Sequence, residues 1–225
     1  MIIRRAACAF LGAGIGFGAC ATSVETGPPI ADPADAAVEL LEGSGADVPS
    51  DIWFDWAYAD RRGNVDGDGR ARFNPPDSLR LDLFTSGDVA MAVSLAGESL
   101  TSLGEIEDVE VPPRAFLFAM AGMFRPDSAV PRGFEVGGDT VLVYGPEDER
   151  LYFFTRAGRL TKVEERRHGR LQRKVELSWG ENPDWPVEAE FRDFGEASRV
   201  RWTIGRTRTR ETPHPGDIFT LSHAR

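Results

Sequence analysis

Apolar and polar residues alternate with a period of two along most of this chain, and Gly, Pro and Asn clusters break the alternation at short intervals. A strand puts successive side chains on opposite faces, so this pattern describes half-buried strands joined by tight turns. Ile52, Phe54, Trp56 and Tyr58 share one face of the first such run. In Ser78–Phe84, Leu79, Leu81 and Leu83 lie on one face and Arg80 and Asp82 on the other. Further strands are predicted at 65–73, 89–95, 99–103, 140–144, 151–155, 160–166, 171–179, 187–194 and 199–207, with a short closing strand at 218–221. Ala157-Gly158 and His168-Gly169 are hairpin signals. The spacing is that of an antiparallel meander. An open sheet of about ten or eleven strands is too large to stay flat, so it must curl. The expected fold is mainly β (α+β): a large curved antiparallel sheet, an open half-barrel, with helices lying across its concave face.

Two or three helices interrupt the pattern. Asp32 followed by Pro33 is a cap and first-turn signal, and Gly43 can end that helix. Its apolar face is predicted as Ala34, Val38 and Leu41. The run Ala115–Phe124 carries no charge and is framed by Pro113 and Pro126. It lacks β-branched residues, so it is predicted to be helical throughout. A helix with no polar face must be covered by protein or lipid. Phe116, Met120, Met123 and Phe124 fall on one stripe and should face the cavity within the curl of the sheet. Leu117 and Phe118 should lie nearer the rim.

The first residues differ from the rest. Arg4 and Arg5 precede an uncharged run of 14 residues, Ala6 to Ala19. That is short of the roughly 20 needed to span a bilayer and reads as an export signal over 1–19. Phe17-Gly-Ala-Cys20 resembles the cleavage box of bacterial lipoproteins. Both cysteines lie in this segment, so a disulfide scaffold is excluded. Cys20 is the expected lipidation site, and several acyl chains there would give a stable palmitate-type anchor. Residues 20–31 read as a flexible tether, and 32–225 as a single domain.

Charge and motifs exclude several function classes. The net charge of −10 argues against nucleic acid as a partner. The excess of acid lies before residue 151, and the last third is mildly basic. Asn64-Val-Asp-Gly-Asp-Gly69 mimics the start of a calcium loop, but its twelfth place is Pro75, so it reads as a bulged hairpin turn. No nucleophile elbow occurs, and His168, His214 and His223 have no ligand spacing. No catalytic residue, metal site or cofactor is expected, and the chain is not expected to be an enzyme.

A resemblance then emerges. A signal ending in Cys20 is followed by a tether, a short helix, and Phe54-Asp-Trp-Ala-Tyr58. Gly69-Arg-Ala-Arg-Phe73, Pro76-Asp-Ser-Leu-Arg-Leu-Asp-Leu83, a broken apolar helix and Pro215-Gly-Asp-Ile-Phe219 complete it. Over about residues 33–221 the chain resembles the LolA/LolB-like superfamily of periplasmic lipoprotein carriers and receptors. The resemblance implies a half-barrel with a helical lid over a hydrophobic cavity that holds acyl chains of lipids or lipoproteins, without catalysis. It also implies an outer-membrane-anchored monomer facing the periplasm. On this reading Phe54, Trp56, Leu79, Leu81, Leu83, Phe116, Met120, Met123 and Phe124 are the expected ligand contacts. The alternative is an envelope sensor or assembly module of the same fold, its cavity filled by its own side chains, that binds a protein partner.

Overall fold

The computed structural model describes residues 27–44, 48–104, 111–126, 131–181 and 184–221; Cys20 and the export signal lie outside them. Twelve strands form one sheet in which all pairings are antiparallel. The first five are β1 (Ser50–Ala59), β2 (Asn64–Asn74), β3 (Ser78–Thr85), β4 (Asp88–Ala96) and β5 (Ser99–Gly104). After helix α2 (Arg114–Met120) come β6 (Arg132–Val136), β7 (Asp139–Tyr144), β8 (Glu149–Arg156), β9 (Arg159–Arg167), β10 (Arg170–Trp179), β11 (Pro186–Asp193) and β12 (Ser198–Thr209). Their order is β5-β4-β3-β2-β1-β12-β11-β10-β9-β8-β7-β6. Two meanders are therefore joined where β12 returns to pair with β1, and β5 and β6 are left as edges, so the sheet is not a closed barrel.

Five strand pairs carry a register shift, among them β1–β12, where Gly205 is the extra residue. Each bulge bends its strand and adds twist. Two-residue turns with positive φ at both positions, Ala157-Gly158 and His168-Gly169, set the hairpins β8–β9 and β9–β10.

The strand count exceeds the sequence expectation by the short edge strand β6, whose alternation is too brief to read. Ile30 and Glu135 donate backbone hydrogen bonds to Gly133 and Pro28, each at 3.0 Å. Residues 28–30, expected to be tether, thus cover the β6 edge. The expected closing strand at 218–221 is instead a 3-10 turn over Gly216–Phe219, held by contacts to β3 and β4. Asn64–Gly69 is regular strand, not a bulged turn. Its glycines mark close approaches: a Cβ at Gly69 would sit 2.3 Å from the Phe54 ring, and one at Gly67 would meet the Phe84 backbone carbonyl at 1.9 Å and the Trp56 indole nitrogen at 3.3 Å. They let the side chains of β1 lie flat across β2.

Helix α1 (Pro33–Gly43) starts as predicted, with the Asp35 amide donating to Asp32 Oδ1 at 3.1 Å. Its buried face differs. Val38 is 52% exposed and Ala34 is exposed, while Leu40 is buried and Ala36, Ala37 and Leu41 pack on the core. Both stripes have helical spacing, and the one with two leucines buries more apolar area.

Candidate functional site

One face of the sheet and helix α2 enclose a single apolar interior. Register builds the wall in pairs: Leu79 opposite Leu95, Leu81 opposite Val93, and Leu83 opposite Met91. Phe54 stacks on Trp202 with centroids 4.3 Å apart. Trp56 turns its ring inward, and its indole N–H donates to the Asp68 carbonyl at 2.9 Å. All nine residues expected to contact ligand are buried and belong to this one cluster.

Helix α2 lies inside the curl. Phe116 meets Phe191 of β11 at 5.4 Å, and Phe124 meets Phe153 of β8 at 5.0 Å. Leu117 and Phe118 do not lie on a rim: they are fully buried, and Phe118 faces Phe73 at 6.2 Å. Side chains from both halves of the sheet pack on the helix, Phe73 of β2 on Phe118 and Phe191 of β11 on Phe116, so residues 115–120 are all core. The helix is also shorter than predicted. The Gly122 amide donates to the Ala119 carbonyl at 2.7 Å and the Met123 amide to the Phe118 carbonyl at 3.0 Å. With Gly122 at φ +77°, this is a Schellman cap. The glycine was the readable signal for it. Met123 and Phe124 therefore follow the cap instead of continuing the helix, and they remain in the core.

Two cavities flank the chain entering α2. The first, about 20 Å³, is lined by apolar side chains including Trp56, Leu81, Leu83, Leu117, Val200 and Trp202. That is room for about one water. Trp56, Leu81 and Leu83 of the nine predicted residues line it, Phe116 lines the second, and the other five are packed core. The second cavity, about 310 Å³, lies between Pro113, Phe116, Tyr144, Leu151, Glu149, Glu165 and Arg173. Sequence reasoning missed it. The available signal was charge at positions in phase with the buried apolar residues: Glu165 two places after Val163, and Arg173 two before Val175.

Arg173 donates from Nε to Asp193 at 2.6 Å and from Nη1 to Glu165 at 3.2 Å. Burial opposes its charge, but these two carboxylates outweigh burial and hold it protonated. Burial also pushes the Tyr144 phenol up to about 12.

On the opposite face, residues distant in sequence meet. Ser50, Asp51 and His214 are all buried, and His214 Nε2 lies 3.8 Å from Asp51 Oδ1. They are not poised for nucleophilic chemistry. The Ser50 hydroxyl donates to the Val48 carbonyl at 2.9 Å, and His214 Nε2 faces the Ser50 carbonyl at 3.3 Å. Asn74 exchanges two hydrogen bonds with the His214 backbone, Arg80 donates to the Ile218 carbonyl at 3.1 Å, and Ser94 donates to the Phe219 carbonyl. This constellation straps residues 213–219 over the outside of β1–β4.

No protein-family model and no curated protein matches the amino-acid sequence. Solved structures do match. A LolA superfamily protein from Nitrosomonas europaea is 15% identical with a TM-score of 0.53, covering 82% of this chain and 97% of its own. A DUF1329 family protein from Desulfovibrio piger is 10% identical with a TM-score of 0.56, covering 84% and 95%. A domain from Vibrio parahaemolyticus, named for outer membrane lipoprotein sorting, is 10% identical with a TM-score of 0.51, covering 83% and 97%. At these identities the likeness is one of fold, and the chain has the fold of the LolA superfamily.

Proposed function

We propose that this chain is a cell-envelope lipoprotein whose half-barrel binds the acyl chain of a lipid or lipoprotein, as a carrier or receptor without catalysis. Cys20 would carry the lipid anchor, and residues 20–27 would tether a monomeric domain at the periplasmic side of the outer membrane. No helix among the described residues is long and apolar enough to cross a membrane.

The observation that carries the reading is the character of α2. Every residue from Ala115 to Met120 is buried, and among the described residues the backbone hydrogen bonds of this segment run within residues 113–123. The helix is thus held to the sheet chiefly by apolar contact, which is non-directional. Hydrocarbon can replace hydrocarbon there, and each buried CH₂ of a ligand contributes about 0.8 kcal/mol. The apolar cavity beside α2 is about 20 Å³, so on this reading a long chain enters only as residues 111–124 move. Ligand then selects an open form.

That same small volume favours the second reading, a filled core whose outer surface binds a protein partner. Titration with a fluorescent hexadecanoate analogue separates the two. The acyl reading expects saturable binding to one site with quenching of Trp56 and Trp202. Absence of saturable binding rejects it in favour of the filled-core reading.

A further inference from the structure

The two edges of the sheet differ. Residues 28–30 lie along β6, joined to it by the Pro29–Phe134 bridge and two backbone hydrogen bonds. Strand β5 has no such cover among the described residues. It also lacks the devices that protect an edge. Ser99–Gly104 carries no charge and no proline, and its register with β4 runs without a shift from Ala96–Ser99 to Met91–Gly104. Ser99, Leu100, Thr101 and Ser102 are all exposed.

The turn before β5 sets the direction of its backbone groups. Gly97-Glu98 is a two-residue turn with positive φ, +60°, at Gly97 only, so Ala96 and Ser99 close it as a hydrogen-bonded pair. Bonded and non-bonded pairs alternate from there. The amides and carbonyls of Leu100 and Ser102 therefore point away from β4, and no hydrogen bond among the described residues reaches them. Leu100, opposite Leu95 and 41% exposed, puts an apolar side chain on the inner face of the same edge.

Charge decides what can lie there. Between Arg80 and Arg114 the sequence has no basic residue and seven acids. Arg72 and Arg80 neutralise Asp82. Asp88 and Glu98, at opposite ends of the β4–β5 hairpin, are exposed and have no ion pair among the described residues. Two copies joined through β5 would set this acid against itself, and an anionic lipid surface would be repelled in the same way.

We propose that β5 is an acceptor edge for an extended basic segment of a partner polypeptide, which adds to the sheet as a further strand. Backbone hydrogen bonds to Leu100 and Ser102 hold it, alternate apolar side chains meet Leu100, and its cations answer the surrounding acids. The proposal stands whatever the interior binds.

The test is fluorescence anisotropy of a labelled short peptide alternating lysine and valine, titrated with the full chain. Saturable binding at one site is expected. The same peptide N-methylated at every residue keeps its charge but has no backbone donors, and should bind at least about tenfold more weakly, the loss of one or two hydrogen bonds. Ser102→Pro should weaken the parent peptide to a similar degree, because proline at an outward-facing edge position removes a donor and leaves the β4 pairing intact. A peptide with glutamate in place of lysine should not bind measurably. No binding of the lysine peptide, equal binding of its N-methylated form, an affinity unchanged in Ser102→Pro, or equal binding of the glutamate peptide overturns the proposal. Should Ser102→Pro not fold, the N-methylated peptide on the wild type decides.

Discussion

Gly69 lies under the Phe54 ring, and an added side chain there has no room. Gly69→Val should cost about 1–3 kcal/mol in urea unfolding, as overpacking does. Met120, with no exposed surface, should cost about 2–5 kcal/mol when cut to Ala. His214 makes a pH prediction. Burial is the largest influence on it and holds its pKa below the ordinary 6.5. The unfolded chain therefore takes up the proton first as pH falls, and stability contributed above 6.5 declines from there down to the folded value. Asp51, Glu164 and Glu190 are also held low, from ordinary values of 3.8 and 4.5, so their losses come at more acid pH. His214→Gln should flatten the stability profile just below pH 6.5, checked by thermal melts; an unchanged slope there would contradict the assignment. The alternation of Leu79, Leu81 and Leu83 was legible because strand period is local. The meeting of Asp51 with His214 was not, because nothing local marks two positions 163 residues apart.

Among elements, α2 shows what a sequence carries and what it hides. Its type and its burial followed from ten uncharged residues. Its end did not, because Met123 and Phe124 continue the apolar spacing while Gly122 stops the backbone. Gly122→Ala would force a side chain into left-handed backbone at φ +77°, with a Cβ 2.9 Å from the Trp179 ring. The expected loss exceeds about 1 kcal/mol. Wild-type stability in that variant would contradict the capping account. Strand β6 escaped notice because Gly133 stands where Ile30 packs, with no room for an inward side chain. The polar cavity escaped because Glu165 and Arg173 look like solvated charges until the curl of the sheet turns them inward.

At the scale of the whole molecule, the meander pattern implied a curled sheet, and twelve antiparallel strands form one. Pairing of β1 with β12 was not legible, since it joins segments at opposite ends of the domain. It is this pairing that brings Trp56 beside Trp202 and makes one interior from two meanders. The anchor is tested at Cys20: the wild type should incorporate labelled palmitate and Cys20→Ala should not, and equal labelling of the two would reject the lipoprotein reading. The central claim, that this interior opens for an acyl chain, is tested most directly by mass spectrometry of lipid retained by the protein after extraction from its native membrane and removal of detergent. The account predicts a non-covalent lipid near one per chain, released when the protein unfolds. A protein that carries no lipid beyond its own anchor, and takes up none when reconstituted with envelope lipid, would contradict it.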